Sequence, residues 1–299
     1  YDVNKTALIM SQTGGACRAT NYIVLLRRAL KDAGMEQVPV ISMNTLGLEK
    51  HPGFDISPSM IRKLIAATVY GDALMRMVYR VRPYEAVKGS ANELMDNWIK
   101  TCRESLRKFR MKDYRNYLVS MVDSFDRLPI IESHKPRVGI VGEILVKFHP
   151  DANNRIVELI EQEGGEAVMP DILDFFLYCA YDGPAQLGKS RTSAAVYRAA
   201  IRYIESLRKP LKEALENSTR FSSPHTIDEL AAKAETILST ENQAGEGWFL
   251  TGEMIELIES GVLNIACVQP FACLPNHVTG RGMLKGIKEG YPDANITAI

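Results

Sequence analysis

The sequence predicts an α/β fold made of two doubly wound parallel-sheet domains with additional helices. Short β-rich runs alternate with longer runs in which apolar residues recur three and four positions apart, and they do so in both halves of the chain. A length of 299 residues suits two domains of ordinary size. Hydrophobic residues make up 46% of the chain, enough to bury a substantial core, which excludes a disordered or fibrous protein.

The first predicted domain covers residues 1–130 and starts with a strand–loop–helix–strand unit. Its strands are predicted at Thr6–Met10 and Val38–Met43, on either side of a helix at Tyr22–Ala33. The segment Ser57–Leu128 is predicted to be mostly helical, with breaks at its proline and glycine residues. Because the chain enters a strand within a few residues of its start, we expect this domain to be N-terminally incomplete and the chain to be a fragment.

The second predicted domain covers residues 131–299, after a proline-flanked polar segment at Pro129–Pro136 that favours a boundary. Its predicted strands are Arg137–Gly142, Ala167–Met169, Val262–Val268 and Asn295–Ile299. Its predicted helices are Asn153–Glu163, Ile172–Tyr181, Ser190–Glu216, Ile227–Thr240, Thr251–Glu259 and Val278–Glu289. We expect Asp151 to cap the first of these helices. The alternation of strands and helices implies a parallel sheet covered on both faces.

Charge and composition exclude several classes of function. The chain carries 36 basic and 36 acidic residues, so its net charge of +0 argues against a nucleic-acid partner. No apolar run approaches the roughly 18–20 residues of a membrane-spanning helix, and no signal peptide is recognisable. Five cysteines, an odd number, do not suit a secreted disulfide framework. We therefore expect a reduced, cytoplasmic protein without a membrane partner.

The segment Gln12–Asn21 (QTGGACRATN) follows a predicted strand and opens a predicted helix. It therefore belongs at the carboxyl end of a sheet, where open α/β folds bind ligands. Cys17 would lie near a helix N-terminus beside a basic residue, and both features favour the thiolate that a nucleophile or metal ligand requires. Gly14 and Gly15 would let the backbone approach a bulky group. The alternative is a tight turn with an incidental cysteine.

A second cysteine occupies the same topological place in the second half. Cys273 lies past a predicted strand, in the loop of the segment Cys267–His277 (CVQPFACLPNH). If the two sheets face each other through their carboxyl ends, the two loop thiols converge, and such a pair suits a soft metal or an iron–sulfur cluster. His277 is a candidate outer donor, or simply a polar residue at a helix start. Cys267 is expected in the core, as are Cys102 and Cys179.

The segment Gly183–Ser190 (GPAQLGKS) matches the pattern of a phosphate-binding loop, in which Lys189 would contact phosphates and Ser190 would hold magnesium. That loop requires a buried strand before it and a helix after it. The residues before it are aromatic and helix-like rather than β-branched. Nucleotide binding is therefore a further alternative, and a loop that leads into a helix is the plainer interpretation.

Three motifs together resemble one family. They are QTGGACRATNY at 12–22, VGIVGEILVKFHPDANN at 138–154 and QPFACLPNHVTGRG at 269–282. They resemble the dehydratase-like region of the activators of (R)-2-hydroxyglutaryl-CoA dehydratase, also called CoA-substrate-specific enzyme activases. The resemblance spans about residues 6–299. In that family an ATP-dependent activase module of the actin-like class lies upstream in the same polypeptide.

The resemblance implies a four-iron four-sulfur cluster in a cleft between two α/β domains. It carries cluster ligation over to Cys17 and Cys273, with Gly14, Gly15 and Asn276 shaping the loops around the cluster. The third cysteine of the family pattern would lie upstream of Tyr1. In the related dehydratases the cluster passes one electron to a 2-hydroxyacyl-CoA and so permits loss of water. Catalytic residues are not implied for this chain.

These observations lead to two main functional hypotheses and one further alternative. The first is an iron–sulfur electron-transfer or dehydratase-like module related to 2-hydroxyacyl-CoA dehydratases and their activators, with an acyl-CoA as a potential partner. The second is a non-catalytic interaction module that couples an activase to its partner. The further alternative is a nucleotide-binding enzyme that uses the GPAQLGKS segment.

Overall fold

Parallel strands in two sheets form the framework of the chain. The computed structural model describes residues 2–12, 18–43, 49, 57–186 and 191–299. Within these residues the strands form a two-stranded parallel sheet and a four-stranded parallel sheet, surrounded by helices. The α/β class predicted from the sequence is confirmed, and the doubly wound arrangement stays a prediction.

The small sheet contains the first strand–helix–strand unit. Strand β1 (Leu8–Ser11) pairs in parallel with β2 (Val40–Met43), and helix α1 (Tyr22–Asp32) connects them. The apolar spacing along α1 explains its packing, since Ile23 and Leu30 are buried against the small sheet. This unit follows the predicted order and comes close to its predicted bounds.

Three helices follow, as the sequence predicts for this segment. They are α2 (Pro58–Val81), α3 (Ser90–Arg107) and α4 (Met111–Asp126). The side chain of Ser57 accepts a hydrogen bond from the Met60 backbone N–H at 3.2 Å, which caps α2.

The second half builds the large sheet. Its elements in chain order are β3 (Arg137–Gly142), α5 (Ile144–Phe148), α6 (Ile156–Gln162), β4 (Glu166–Val168), α7 (Ile172–Gln186), α8 (Arg191–Glu216), α9 (Ile227–Glu235), α10 (Gly247–Glu259), β5 (Asn264–Val268), α11 (Leu284–Gly290) and β6 (Asn295–Ala298). The strand order is β4-β3-β5-β6, and all neighbours are parallel. Before α11 the chain makes a π-helical turn at Asn276–Gly280, where the sequence predicts regular helix.

Apolar side chains cover both faces of the large sheet. Val141 belongs to a cluster with residues of α10 and α11, whereas its neighbour Ile140 belongs to a cluster with residues of α6. Successive side chains of a strand point to opposite faces, so the continuous apolar run of β3 is explained by burial on both sides.

The order of the large sheet creates a crevice at one edge. The chain passes from β3 to β4 on one side and later returns across β3 to form β5 on its other side. In open parallel sheets the ligand crevice lies where the strand order reverses in this way, outside the carboxyl ends of the strands. Those ends are Gly142 and Val268, which are partners in the register.

One apolar cluster includes residues from both sides of the predicted domain boundary. It joins residues of α2 and α4, such as Met77 and Phe125, with Leu173 of α7 and with Leu211 and Leu215 of α8. The boundary near residue 130 stays a prediction.

The predicted cap of the helix after β3 is wrong. Helix α6 begins at Ile156, whose backbone N–H donates to Oδ1 of Asn153 at 3.2 Å. Asp151 instead forms an exposed ion pair with Arg155. Both Asn154 and Arg155 adopt left-handed backbone conformations, which moves the start of the helix away from Asp151.

Candidate functional site

Cys273 lies in the loop that follows β5, at the crevice. Its side chain is 2% exposed, and its backbone N–H donates to the Pro270 carbonyl at 3.2 Å. The preceding Ala272 has φ 62°, a left-handed conformation that costs a residue with a Cβ on the order of 1 kcal/mol. Backbone strain directly before a buried thiol is typical of functional loops.

The sulfur of Cys273 accepts a hydrogen bond from a buried amide. Nδ2 of Asn276 lies 3.2 Å from Cys273 Sγ and 2.7 Å from Oε2 of Glu246. Glu246 precedes α10, and its other oxygen, Oε1, accepts the Ile144 backbone N–H at 3.1 Å. All three side chains are buried. A carboxylate, an amide and a thiol therefore form one hydrogen-bonded chain at the carboxyl ends of β3 and β5.

A second buried carboxylate, that of Glu143, follows β3 directly. Its Oε2 accepts the Val146 backbone N–H at 2.8 Å and caps α5. The pKa of Glu143 is raised to about 7. Burial is the main cause, the hydrogen bond from the Val146 N–H opposes it, and the nearby charge of Glu246 adds to it. A contact from the side chain of Tyr22 also lowers the pKa of Glu143. The start of α1 therefore lies beside the end of β3.

Three buried side-chain oxygens at this crevice have no hydrogen-bond donor within the described part of the chain. They are Oε1 of Glu143, Oδ1 of Asn276 and Oε1 of Gln269, the residue that follows β5. Buried acceptors are usually satisfied by a protein group, water or a ligand. The arrangement combines a thiol with carboxylates and amides, so it can bind a soft metal at sulfur and exchange a proton at Glu143.

A buried ion pair lies behind the two carboxylates. Nζ of Lys147 is 2.7 Å from Oε1 of Glu253, and the two side chains are 1% and 2% exposed. Burial raises the pKa of Glu253 to about 7, while Lys147 opposes that shift. Burial also raises the pKa of Glu246, and the ammonium of Lys147 opposes that shift, so the ion pair and the site are electrostatically linked.

Replacing Glu143 by Gln is expected to flatten the dependence of stability on pH. A carboxyl group whose folded pKa lies above its unfolded value stabilises the fold fully below about 4.5, and this contribution is lost as pH rises through about 7. The loss corresponds to about 3 kcal/mol for a shift of this size. Chemical denaturation of the wild type and of Glu143→Gln between pH 5 and pH 8 measures the difference. The exposed Glu132→Gln is the control and keeps the wild-type slope; equal slopes in all three proteins would contradict the prediction.

The structure brings together two of the predicted site residues, Cys273 and Asn276. Cys17, Gly14 and Gly15 lie outside the described residues. Nδ1 of His277 lies 2.8 Å from the carbonyl oxygen of Cys273, so its contact is with the backbone of this loop.

Placement of Cys267 and Cys102 in the core is confirmed, and burial raises the pKa of both thiols to about 12. Cys179, which we also expected in the core, is exposed, so that prediction is wrong. It lies on α7 one position beyond the fully buried pair Leu177 and Tyr178, where the helical turn carries a side chain away from the core.

Sequence reasoning missed Glu143 and Glu246. A glutamate directly after an apolar strand was a usable signal for Glu143, because that position is the carboxyl end of a sheet strand. Glu246 had no comparable signal, since it lies in a polar segment before a helix.

The strand that a phosphate-binding loop requires does not precede the GPAQLGKS segment. Helix α7 extends to Gln186, so the first half of the segment is helical where a phosphate-binding loop needs a preceding strand. Lys189 and Ser190 lie outside the described residues.

Two features are absent from the part of the chain that the structure describes. In residues 2–12, 18–43, 49, 57–186 and 191–299, no three His, Cys, Asp or Glu side chains are grouped so that they could hold a metal ion. Within the same ranges no helix has the length and apolar character needed to cross a membrane.

Comparisons with known proteins gave no match. No protein-family model matches the chain. No curated protein and no solved structure is significantly similar to it.

Proposed function

We propose that this chain is an iron–sulfur electron-transfer or dehydratase-like module, related to the 2-hydroxyacyl-CoA dehydratases and their activators, with Cys273 as a ligand of a four-iron four-sulfur cluster. The observation that carries the proposal is the amide N–H that Asn276 directs at the buried Cys273 sulfur. Hydrogen bonds to cluster sulfurs are among the means by which proteins stabilise and tune such clusters.

The residues around Cys273 fit a cluster ligand, although they do not form a complete site. The described residues supply one thiolate, a hydrogen-bond donor to it and a crevice at the reversal of the strand order. Cys17 is the proposed second ligand. Tyr22, five positions further along the chain, contacts Glu143 beside the same crevice. This contact places the start of α1 at the crevice.

The chemistry divides between the cluster and the chain. When bound, the cluster supplies one-electron transfer. Glu143 holds or releases a proton at its carboxyl group, because burial and the charge of Glu246 bring its pKa to about 7. Burial of Glu143, Glu246 and Asn276 excludes bulk water from the sulfur. The family resemblance makes an acyl-CoA the proposed ligand class. It also makes an upstream activase module the proposed electron donor.

Anaerobic iron and sulfide analysis tests this proposal, together with a visible absorption spectrum. The measurement is made on this chain and on a polypeptide extended upstream, where the family pattern expects a further cysteine. We expect bound iron and sulfide with brown colour in at least the extended protein, and their loss in Cys273→Ala. Cys267→Ala is the matched control, since that thiol is a buried core residue, and it keeps its iron. Iron-free protein in both forms would overturn the proposal.

A second candidate function is the interaction module. Phe271 and Leu274 flank Cys273 and are 91% and 70% exposed, and apolar side chains of this size on one loop favour a protein-binding surface. This function requires binding to the activase module to be weakened by Phe271→Ser with Leu274→Ser and to survive Cys273→Ala. Loss of binding in Cys273→Ala would favour the cluster instead. Calorimetric titration with the isolated activase measures both.

A further inference from the structure

We propose that Glu246 is a positioning residue: its carboxylate fixes the orientation of the Asn276 amide and thereby directs an amide N–H at the sulfur of Cys273. The inference deepens the proposed function and rests on it for its biological meaning. The contacts on which it depends, however, involve only residues of this chain, so they can be tested without iron.

The contacts of Asn276 determine which way its amide points. Nδ2 has two hydrogens, and its two neighbours, Glu246 Oε2 at 2.7 Å and Cys273 Sγ at 3.2 Å, both accept. Rotation of the amide by 180° would place Oδ1 against the carboxylate and the sulfur, and both contacts would become repulsive. Oδ1 has no partner among the described residues, so no other contact in that part of the chain holds the amide in place.

Glu246 is itself held firmly enough to act in this way. Its Oε1 accepts the Ile144 backbone N–H at 3.1 Å, and the side chain is buried before the first turn of α10. The backbone directly after Glu246 is also constrained. Gly247 has φ 49°, and a Cβ there would lie 2.2 Å from the Asn242 carbonyl oxygen. The carboxylate therefore has one position, and Asn276 takes its orientation from it.

A fixed donor has a direct consequence for the sulfur. A hydrogen bond to a charged acceptor is stronger than one to a neutral acceptor, so the amide favours a sulfur that carries negative charge, whether free or bound to metal. The sulfurs of Cys267 and Cys102 accept no such hydrogen bond from the described residues, and burial raises the pKa of both thiols to about 12. We therefore expect Cys273 to be more reactive than these two thiols despite similar burial.

Site-resolved alkylation of the metal-free chain tests the proposal. The protein reacts with iodoacetamide at pH 7.5, and mass spectrometry of peptides gives a separate rate for each cysteine. Cys273 is expected to react faster than Cys267 and Cys102. Asn276→Leu is expected to slow Cys273 about threefold, because the sulfur loses its amide donor. Glu246→Gln also removes a negative charge near the sulfur, which by itself raises the rate. The ratio of the Glu246→Gln rate to that of its parent is therefore expected to be about threefold lower in the wild-type background than in the Asn276→Leu background, where no amide remains to be oriented.

The direction of the effect separates positioning from loss of structure. A variant that loosens the fold exposes Cys273 and raises its rate, whereas loss of the amide donor lowers it. The matched control is Asp182→Asn, a buried carboxylate that accepts from Trp248 and makes no hydrogen bond to Asn276; it leaves the Cys273 rate unchanged. An unchanged or raised rate in Asn276→Leu overturns the proposal, as does an equal effect of Glu246→Gln in the two backgrounds or a wild-type Cys273 that reacts no faster than Cys267. Because no iron is involved, these outcomes are independent of the cluster analysis.

Discussion

Replacing Glu253 by Gln is expected to lower the free energy of unfolding by about 3–5 kcal/mol, because it leaves the ammonium of Lys147 buried without a counter-charge. The two side chains are almost fully buried and only 2.7 Å apart. In the wild type, their mutual attraction offsets part of the cost of removing both charges from water. Urea denaturation at pH 8 measures the loss.

Two comparisons show whether the unpaired charge is the cause. Lys147→Met combined with Glu253→Leu removes both charges and is expected to recover most of the loss, because apolar replacement of a buried pair is often close to neutral. Glu213→Gln breaks the exposed pair with Lys209, whose atoms are 3.5 Å apart, and is expected to change stability by less than about 1 kcal/mol. A Glu253→Gln cost no larger than that of Glu213→Gln would contradict the prediction.

Replacing Gly142 by Ala is expected to destabilise the chain by at least about 3 kcal/mol. Gly142 has φ 138°, and a Cβ at this residue would lie 1.8 Å from the carbonyl oxygen of Val268. That carbonyl also accepts the Glu143 backbone N–H at 3.0 Å. The methyl group must therefore separate the ends of β3 and β5 and displace Glu143 from the crevice. Thermal unfolding followed by circular dichroism measures the change.

Gly261→Ala is the matched control for this variant. Gly261 also has a positive φ, 84°, but a Cβ there meets no atom within 4 Å. Gly261→Ala is therefore expected to have only the conformational cost of a side chain at positive φ, on the order of 1 kcal/mol, without a steric clash. If both variants lose the same stability, the contact between the strand ends is not what requires glycine at position 142.

Both predictions concern the carboxyl ends of β3 and β5 and the buried groups next to them. Gly142 lets β3 and β5 end in contact, and these strand ends present Glu143 and the loop of Cys273. Lys147 and Glu253 form a buried ion pair next to this site, and the ammonium opposes the rise that burial causes in the pKa of Glu246. Stability and site geometry therefore depend on the same few buried groups, so variants of the site need a stability measurement beside every functional one.

Much of the candidate site could be predicted from the cysteine loop. The position of Cys273 after a strand and before a helical segment follows from local sequence, and so does the nearby Asn276. Of the two carboxylates, only Glu143 has a local signal, its position directly after an apolar strand. Glu246 lies in a distant segment without such a signal, and the sequence does not show that the two are close together. Their proximity depends on α10 packing against the large sheet, which brings the residue before α10 next to the end of β3.

The sequence by itself determined the α/β class, most helices and strands, and the breaks between them, because apolar periodicity, prolines and glycines act over a few residues. It also determined that the Cys273 loop lies at the carboxyl end of a strand. Only the tertiary structure decided that α2 and α4 share a core with α7 and α8, and that two carboxylates and an amide surround the sulfur. The physical reason is that burial and the pairing of charges depend on which distant segments pack together, and a local pattern does not contain that information.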